Sequence, residues 1–179
     1  MGNSLFEKLY QNGIIVITSN IGSEATGDLI QAIMNLNAMD PFKEIHLYIS
    51  SGSPNFINVL ALYDTITSIA NPLYGYAIGQ VSDCSVLLLA ACDKGKRFIL
   101  KNTEIGLDEI YGVLDSGTNQ QTEMELLNKE TTKQKEIFED LLAKHTGHTV
   151  EEIHQDCVNC RIFNAEEAVA YGLVDHILG

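Results

Sequence analysis

Between residues 13 and 92 the chain repeats one pattern three times: a short apolar or β-branched run, a cluster of turn formers, then apolar residues at helical spacing. Each repeat predicts a strand followed by a helix. The first is a strand over 13–19 and a helix over 23–39, with Ala25, Leu29, Ala32, Ile33 and Leu36 on one face. The second is a strand over 44–49, a turn over 50–55, and a helix over 57–70 with Val59, Leu60, Tyr63 and Ile66 inward. The third is a strand over 73–78, a turn over 79–82, and a strongly apolar helix over 83–92. Strand and helix alternating at this interval specify an α/β domain with a largely parallel sheet and right-handed crossovers. Functional residues are then expected at the C-terminal ends of strands.

A further strand is expected at 98–100. Residues 111–121 are rich in Gly, Ser, Thr, Asn and Gln and read as an extended insertion before a long helix over 122–144. That helix carries few apolar residues (Leu126, Leu127, Ile137, Phe138, Leu141, Leu142), which suits an arm that packs partly on another subunit.

A chain of 179 residues, 45% hydrophobic and with 3 prolines, fits one folded domain. The 11 basic and 24 acidic residues give a net charge of −13. That argues against nucleic acid and anionic membranes as partners, even allowing for a local patch at Lys94, Lys96, Arg97 and Lys101. The longest apolar run, 86–92, is far short of the roughly 20 residues a bilayer needs. The first residues carry no targeting signal, and four cysteines, two of them in an apolar segment, read as reduced thiols; a cytoplasmic location is expected.

Several co-linear segments carry a more specific message. They are Asp40-Pro-Phe-Lys-Glu-Ile-His-Leu-Tyr-Ile-Ser-Ser-Gly-Ser53, Ala61-Leu-Tyr-Asp-Thr65, Leu88-Leu-Ala-Ala-Cys-Asp-Lys-Gly-Lys-Arg97, Lys144-His-Thr-Gly147, Phe163-Asn-Ala-Glu-Glu-Ala168 and Tyr171-Gly-Leu-Val-Asp175. Together they resemble the Clp protease proteolytic subunit, ClpP. The resemblance implies a ClpP/crotonase-like spiral of strand–helix repeats in a single domain spanning 1–179. Its head would comprise about 1–108 and 145–179, and a protruding handle about 109–144. It also implies self-association into rings of seven or fourteen, a Clp ATPase partner and possible mixing with an active paralogue. In the family a further N-terminal segment forms loops at the axial pore; here about a dozen residues precede the first strand, so that segment is expected to be absent or trimmed.

The same resemblance exposes a departure at the active site. The family's nucleophile opens a helix after a Gly-x-Ala-Ala-Ser turn, and the matching Gly79-Gln-Val-Ser-Asp83 puts Asp83 in its place. The general base matches Asp108, which is followed by Glu109-Ile110 where the family has Gln-Pro; the orienting acid matches Asp156. The two backbone donors of the oxyanion hole fall on Pro54, which has no N–H, and on Cys84. The expectation is a catalytically degenerate, structural or regulatory ring subunit with no cofactor and no metal. Two alternatives are a peptidase with a rearranged site and a crotonase-like acyl-thioester enzyme. The Gly52-Ser53-Pro54 turn weighs against the latter, because it lacks paired backbone donors.

Ser82, Cys84 and Ser85 flank Asp83 as displaced-nucleophile candidates, with Asp83 or Asp108 as a carboxylate base. The plainer reading makes Ser82 a helix N-cap, Cys84 a small buried residue and Asp83 a first-turn complement to the helix dipole. Asp83 and Asp108 are also expected to meet where Ser and His meet in the family, which would raise one pKa or invite a cation. His154, Cys157 and Cys160 have zinc-ligand chemistry but supply three ligands with no second pair, so ordinary packing near a helix end is the better reading. Tyr10, Tyr48, Tyr63, Tyr74, Tyr76 and Tyr111 read mostly as core or sheet residues. In the family, apolar pockets at subunit boundaries receive loops of the unfoldase, and some of these tyrosines are candidates to line them.

Overall fold

The computed structural model describes residues 5–18, 20–110 and 121–179. After a short helix, α1 (Leu5–Gln11), the run of four β-branched residues forms β1 (Ile14–Ile17), followed by α2 (Ser23–Met39). The next three turns of the chain each supply two strands before their helix. These are β2 (Ile45–Ile49) and β3 (Gly52–Ser53) before α3 (Phe56–Ser68), then β4 (Leu73–Ala77) and β5 (Gln80–Asp83) before α4 (Val86–Ala90). Then come β6 (Arg97–Leu100) and β7 (Glu104–Gly106) before α5 (Gln121–Thr146). The chain closes with α6 (Val150–Val158), β8 (Ile162–Phe163), α7 (Ala165–Tyr171) and β9 (His176–Leu178).

The first strand of each pair joins a parallel sheet in the order β1-β2-β4-β6-β9, and the second joins a smaller sheet in the order β3-β5-β7-β8. Among the described strands, only β8 runs antiparallel to its neighbour. This is a spiral whose three middle turns each add one strand to each sheet and one helix. The expected α/β class and parallel sheet are present. The smaller sheet is the correction: residues read as turns at 50–55 and 79–82 contain β3 and β5. The helix expected over 83–92 begins only at Val86.

Local chemistry fixes the helix ends. Asn55 caps α3 by accepting from the Asn58 N–H at 3.2 Å. Thr149 with Glu152 and Asn164 with Glu167 form reciprocal capping boxes on α6 and α7. Helix α7 stops at Gly172, where φ is +86° and a Cβ would lie 2.9 Å from the Thr146 carbonyl oxygen, so a side chain would not be accommodated.

The core lies between the large sheet and α2, α3 and α4, and α4 is buried over its whole length. A buried ion pair ties the spiral's end to its middle: Asp175 accepts from the Arg97 guanidinium and from the backbone N–H groups of Gly95 and Arg97. Arg97 is therefore 2% exposed, and the basic patch considered from the sequence loses its central member.

Helix α5 is two things in one element. Its C-terminal turns are docked, with Phe138 edge-on to Phe56 of α3 (centroids 6.0 Å apart) and Leu142 fully buried. Its earlier turns present Met124 and Leu126 to solvent. The insertion expected over 111–121 lies, up to residue 120, outside the described residues. Among the described residues, no helix is long and apolar enough to cross a membrane.

Candidate functional site

The smaller sheet assembles the candidate site. Register places Gly52 opposite Ser82, Ser53 opposite Asp83 and Val81 opposite Ile105. Asp83 ends β5 with φ of +51°, in the left-handed region, and after Cys84 and Ser85 the chain turns into α4. A strand, a strained residue and a helix in immediate succession make the elbow that presents a nucleophile in hydrolases of several folds. Here the elbow presents a carboxylate. Holding a non-glycine residue there costs about 1–2 kcal/mol. The earlier reading of Asp83 as a first-turn residue and of Ser82 as an N-cap is corrected by this geometry, since both belong to β5.

Two glycines allow the crowding. A Cβ on Gly52 would lie 2.5 Å from Ser82 Oγ and 3.0 Å from Asp83 Oδ2. One on Gly106 would lie 3.3 Å from Ser82 Cβ and 3.4 Å from Asp108 Oδ2. Asp83 and Asp108 both line one gap. Burial pushes the Asp83 carboxyl above the ordinary carboxylate range and the Asp108 charge adds to this, while a hydrogen bond with Ser82 opposes it. Pro54, Cys84, Glu109 and Ile110 complete the lining of this narrow gap. Glu109 is held in turn by an ion pair with Lys135 of α5.

The two oxyanion positions are no better supplied. Pro54 has no N–H, and the Cys84 N–H donates to Ser53 O at 3.1 Å. The Cys84 thiol is pushed up to about 12, by burial first and then by Asp83, which leaves it protonated at neutral pH. Ser85 is buried; its hydroxyl accepts from the Ser53 N–H and donates to Ser51 Oγ, each at 3.1 Å. Ser82 is the one candidate hydroxyl beside the carboxylates.

Asp156 does not join them. It sits on α6, where Arg161 Nη1 bonds both its oxygens at 3.0 and 3.1 Å and the Tyr171 hydroxyl donates at 2.7 Å. The Arg161 guanidinium lies over the Phe163 and Tyr171 rings, and His148 stacks on the other partner's ring, Tyr171, at 3.9 Å. This cluster borders a separate open groove of about 500 Å³. The Asp156 clamp was not foreseen; its only signal in the sequence is an arginine placed just past the helix end.

The zinc candidates separate as well. His154 Nδ1 is 2.9 Å from the nearly buried Glu139 of α5, Cys157 is buried with its thiol pushed up to about 12, chiefly by desolvation, and Cys160 is exposed. Among the described residues no group of three or more His, Cys, Asp or Glu side chains is arranged to hold a metal ion.

Of the tyrosines, Tyr63 is core, Tyr10 bonds the Ala32 carbonyl and Tyr74 donates to Glu44, while Tyr111 lies outside the described residues. Tyr48, Tyr76 and Phe98 stack in register across β2, β4 and β6, with centroids 4.4 and 5.2 Å apart. They line a half-exposed cleft of about 270 Å³ with Ile78, Leu100 and Leu178.

The sequence profile of the Clp protease family matches residues 2–179. The ATP-dependent Clp protease proteolytic subunit 1 of Thermobifida fusca is 34% identical over 174 residues, covering 97% of this chain and 77% of that protein. Subunit 4 of Streptomyces avermitilis is 31% identical over 173 residues, covering 97% and 76%. Subunit 1 of Corynebacterium glutamicum is 32% identical over 173 residues, covering 96% and 82%. The double-stranded spiral, the elbow at Asp83 and the match along nearly the whole sequence agree, and the chain belongs to the Clp protease family as a ClpP-like proteolytic-subunit homologue.

Proposed function

We propose that this chain is a catalytically silent ClpP-type subunit, retained for assembly. The observation that carries the reading is the elbow itself. The backbone strain that presents a nucleophile is intact at Asp83, but the side chain is a carboxylate sharing a narrow gap with a second carboxylate, Asp108. A carboxylate beside another carboxylate lacks both the serine and the imidazole base of the triad. Without a free oxyanion donor at Pro54 or Cys84, a tetrahedral intermediate has nothing to stabilise it, and loss of even one such donor costs roughly 10²–10³ in rate.

A rearranged hydrolase finds little support. Ser85 is engaged with Ser51 and Ser53, Ser82 bonds Asp83, and Asp156 is held by Arg161 and Tyr171. The exposed early turns of α5 favour a role as the handle of the family, with a head formed by the two sheets. The half-exposed Tyr48–Tyr76–Phe98 cleft favours contact with a partner such as a Clp ATPase. Rings of seven or fourteen, of this chain alone or with an active paralogue, follow from that reading.

Two measurements test it. Purified protein is expected neither to cleave fluorogenic peptides nor to label with a fluorophosphonate; labelling at Ser82 or Ser85 would overturn the catalytic part. Light scattering after size exclusion is expected to give about seven or fourteen chain masses, and a stable monomer at micromolar concentration would overturn the assembly part.

A further inference from the structure

Beside the apolar contacts of Phe138 and Leu142, one histidine ties the last turn of α5 to α3. His145 sits in its last turn, half buried, with Nε2 3.0 Å from the Tyr63 hydroxyl of α3 and the two rings edge to face at 5.7 Å. From β6, Arg97 Nη1 reaches the His145 carbonyl at 3.5 Å. We propose that His145 is a pH-sensitive pin: the docking of α5 on α3 requires its ring neutral, and proton uptake loosens the base of the arm.

The surroundings give the sign. The charges that face the ring or its partner are Lys144 on the same helix, Arg97 from β6, and Asp64 beside Tyr63 on α3. Asp175, the remaining nearby carboxylate, is already engaged by Arg97. With its proton on Nδ1, a neutral ring can accept the phenol hydrogen bond at Nε2; an imidazolium can only donate there, so the bond must reverse, and it places a third positive charge near Arg97 and Lys144. Burial, then Lys144 and Arg97, hold the His145 pKa below its ordinary value. A histidine depressed in the fold stabilises it above the unfolded value of about 6.5, and that contribution is lost as pH falls through the lower folded value. The α6 side of α5 is joined separately, through His154 Nδ1 2.9 Å from Glu139.

The inference deepens the assembly reading, because α5 is the element proposed to join rings, and mild acid would then regulate ring stability. The test is hydrogen exchange on the full chain at about pH 7.5 and about pH 5.5, corrected for intrinsic rates. Protection in the last turns of α5 and the facing turns of α3 is expected to fall about tenfold in acid for the wild type. It is expected to stay constant in His145→Gln, whose amide oxygen accepts from Tyr63 without titrating. Equal acid loss in both proteins would overturn the pin. Should the variant fail to fold, the wild-type imidazole titration by proton NMR decides: a midpoint well below 6.5 supports the pin, and one at or above it overturns it. Mass by light scattering at pH 7.5 separates the two ideas, since a monomer there refutes assembly while the exchange comparison still reads the pin.

Discussion

Tyr171 donates its hydroxyl to Asp156 Oδ2 at 2.7 Å, and with Arg161 on the same carboxylate this contact engages Asp156 outside the gap that Asp83 and Asp108 line. Restoring the other two members is therefore expected to fail. Asp83→Ser with Asp108→His should remain at least about 10³-fold below an active family member in peptide turnover, because Pro54 and Cys84 still supply no free donor. Turnover near that of the family in the double variant would mean that the loop at Pro54 and the clamp on Asp156 both rearrange.

The Asp83–Asp108 pair predicts an unusual pH dependence. A carboxyl whose pKa is raised in the fold contributes stability that is full below the unfolded value of about 4 and is lost as pH rises through the folded value. Asp83→Asn removes the charge and keeps a residue that tolerates left-handed backbone. Its melting temperature is expected to exceed that of the wild type at neutral pH, and the difference to vanish near pH 4. A variant that melts below the wild type at pH 7 would show that the carboxylate has a stabilising partner.

How much of this was legible depends on element length. Strands β1, β2, β4 and β6 of the large sheet and helices α2, α3 and α5 are written in β-branched or apolar runs or in helical spacing, which suffice to read them; β9, three residues long near the end of the chain, is not. The smaller sheet is not. Gly52–Ser53 has the composition of a turn, Gln80–Asp83 reads as a turn leading into a helix, and Glu104–Gly106 is three residues long. These segments are strands only because the spiral stacks them against one another. The positions of Asp83, Asp108 and Pro54 were readable from the neighbouring family segments. The fate of Asp156 was not, because it depends on Arg161 and Tyr171 arriving from beyond its helix.

Phe138 anchors the docked half of α5 against Phe56, with Leu142 buried one turn further on. Phe138→Ala is expected to cost about 3–5 kcal/mol in a denaturant titration. A loss below about 1 kcal/mol would mean that the base of the arm is not packed as described.

The Arg97–Asp175 pair offers a sharper case. Asp175→Ala leaves a guanidinium 2% exposed without its carboxylate, and about 3–5 kcal/mol of stability should go with it. Burial alone would raise the Asp175 pKa, but hydrogen bonds from Arg97 and Gly95 and the Arg97 charge outweigh it and hold the carboxyl below its usual value. Its contribution is thus present above the unfolded value of about 4 and lost as pH falls through the folded one. Acid unfolding monitored by circular dichroism should show a smaller pH dependence below pH 4 in the variant; an unchanged profile would remove this pair from the account.

The row of Tyr48, Tyr76 and Phe98 also makes the molecule its own spectroscopic probe. The chain has no tryptophan and 7 tyrosines, and the two whose rings stack nearly parallel with centroids 4.4 Å apart are on the half-exposed face of the sheet. Rings held this close and this rigidly couple their electronic transitions, so the near-ultraviolet dichroism should be dominated by that face. Whatever seats on it will announce itself as a change in that band, with no label attached.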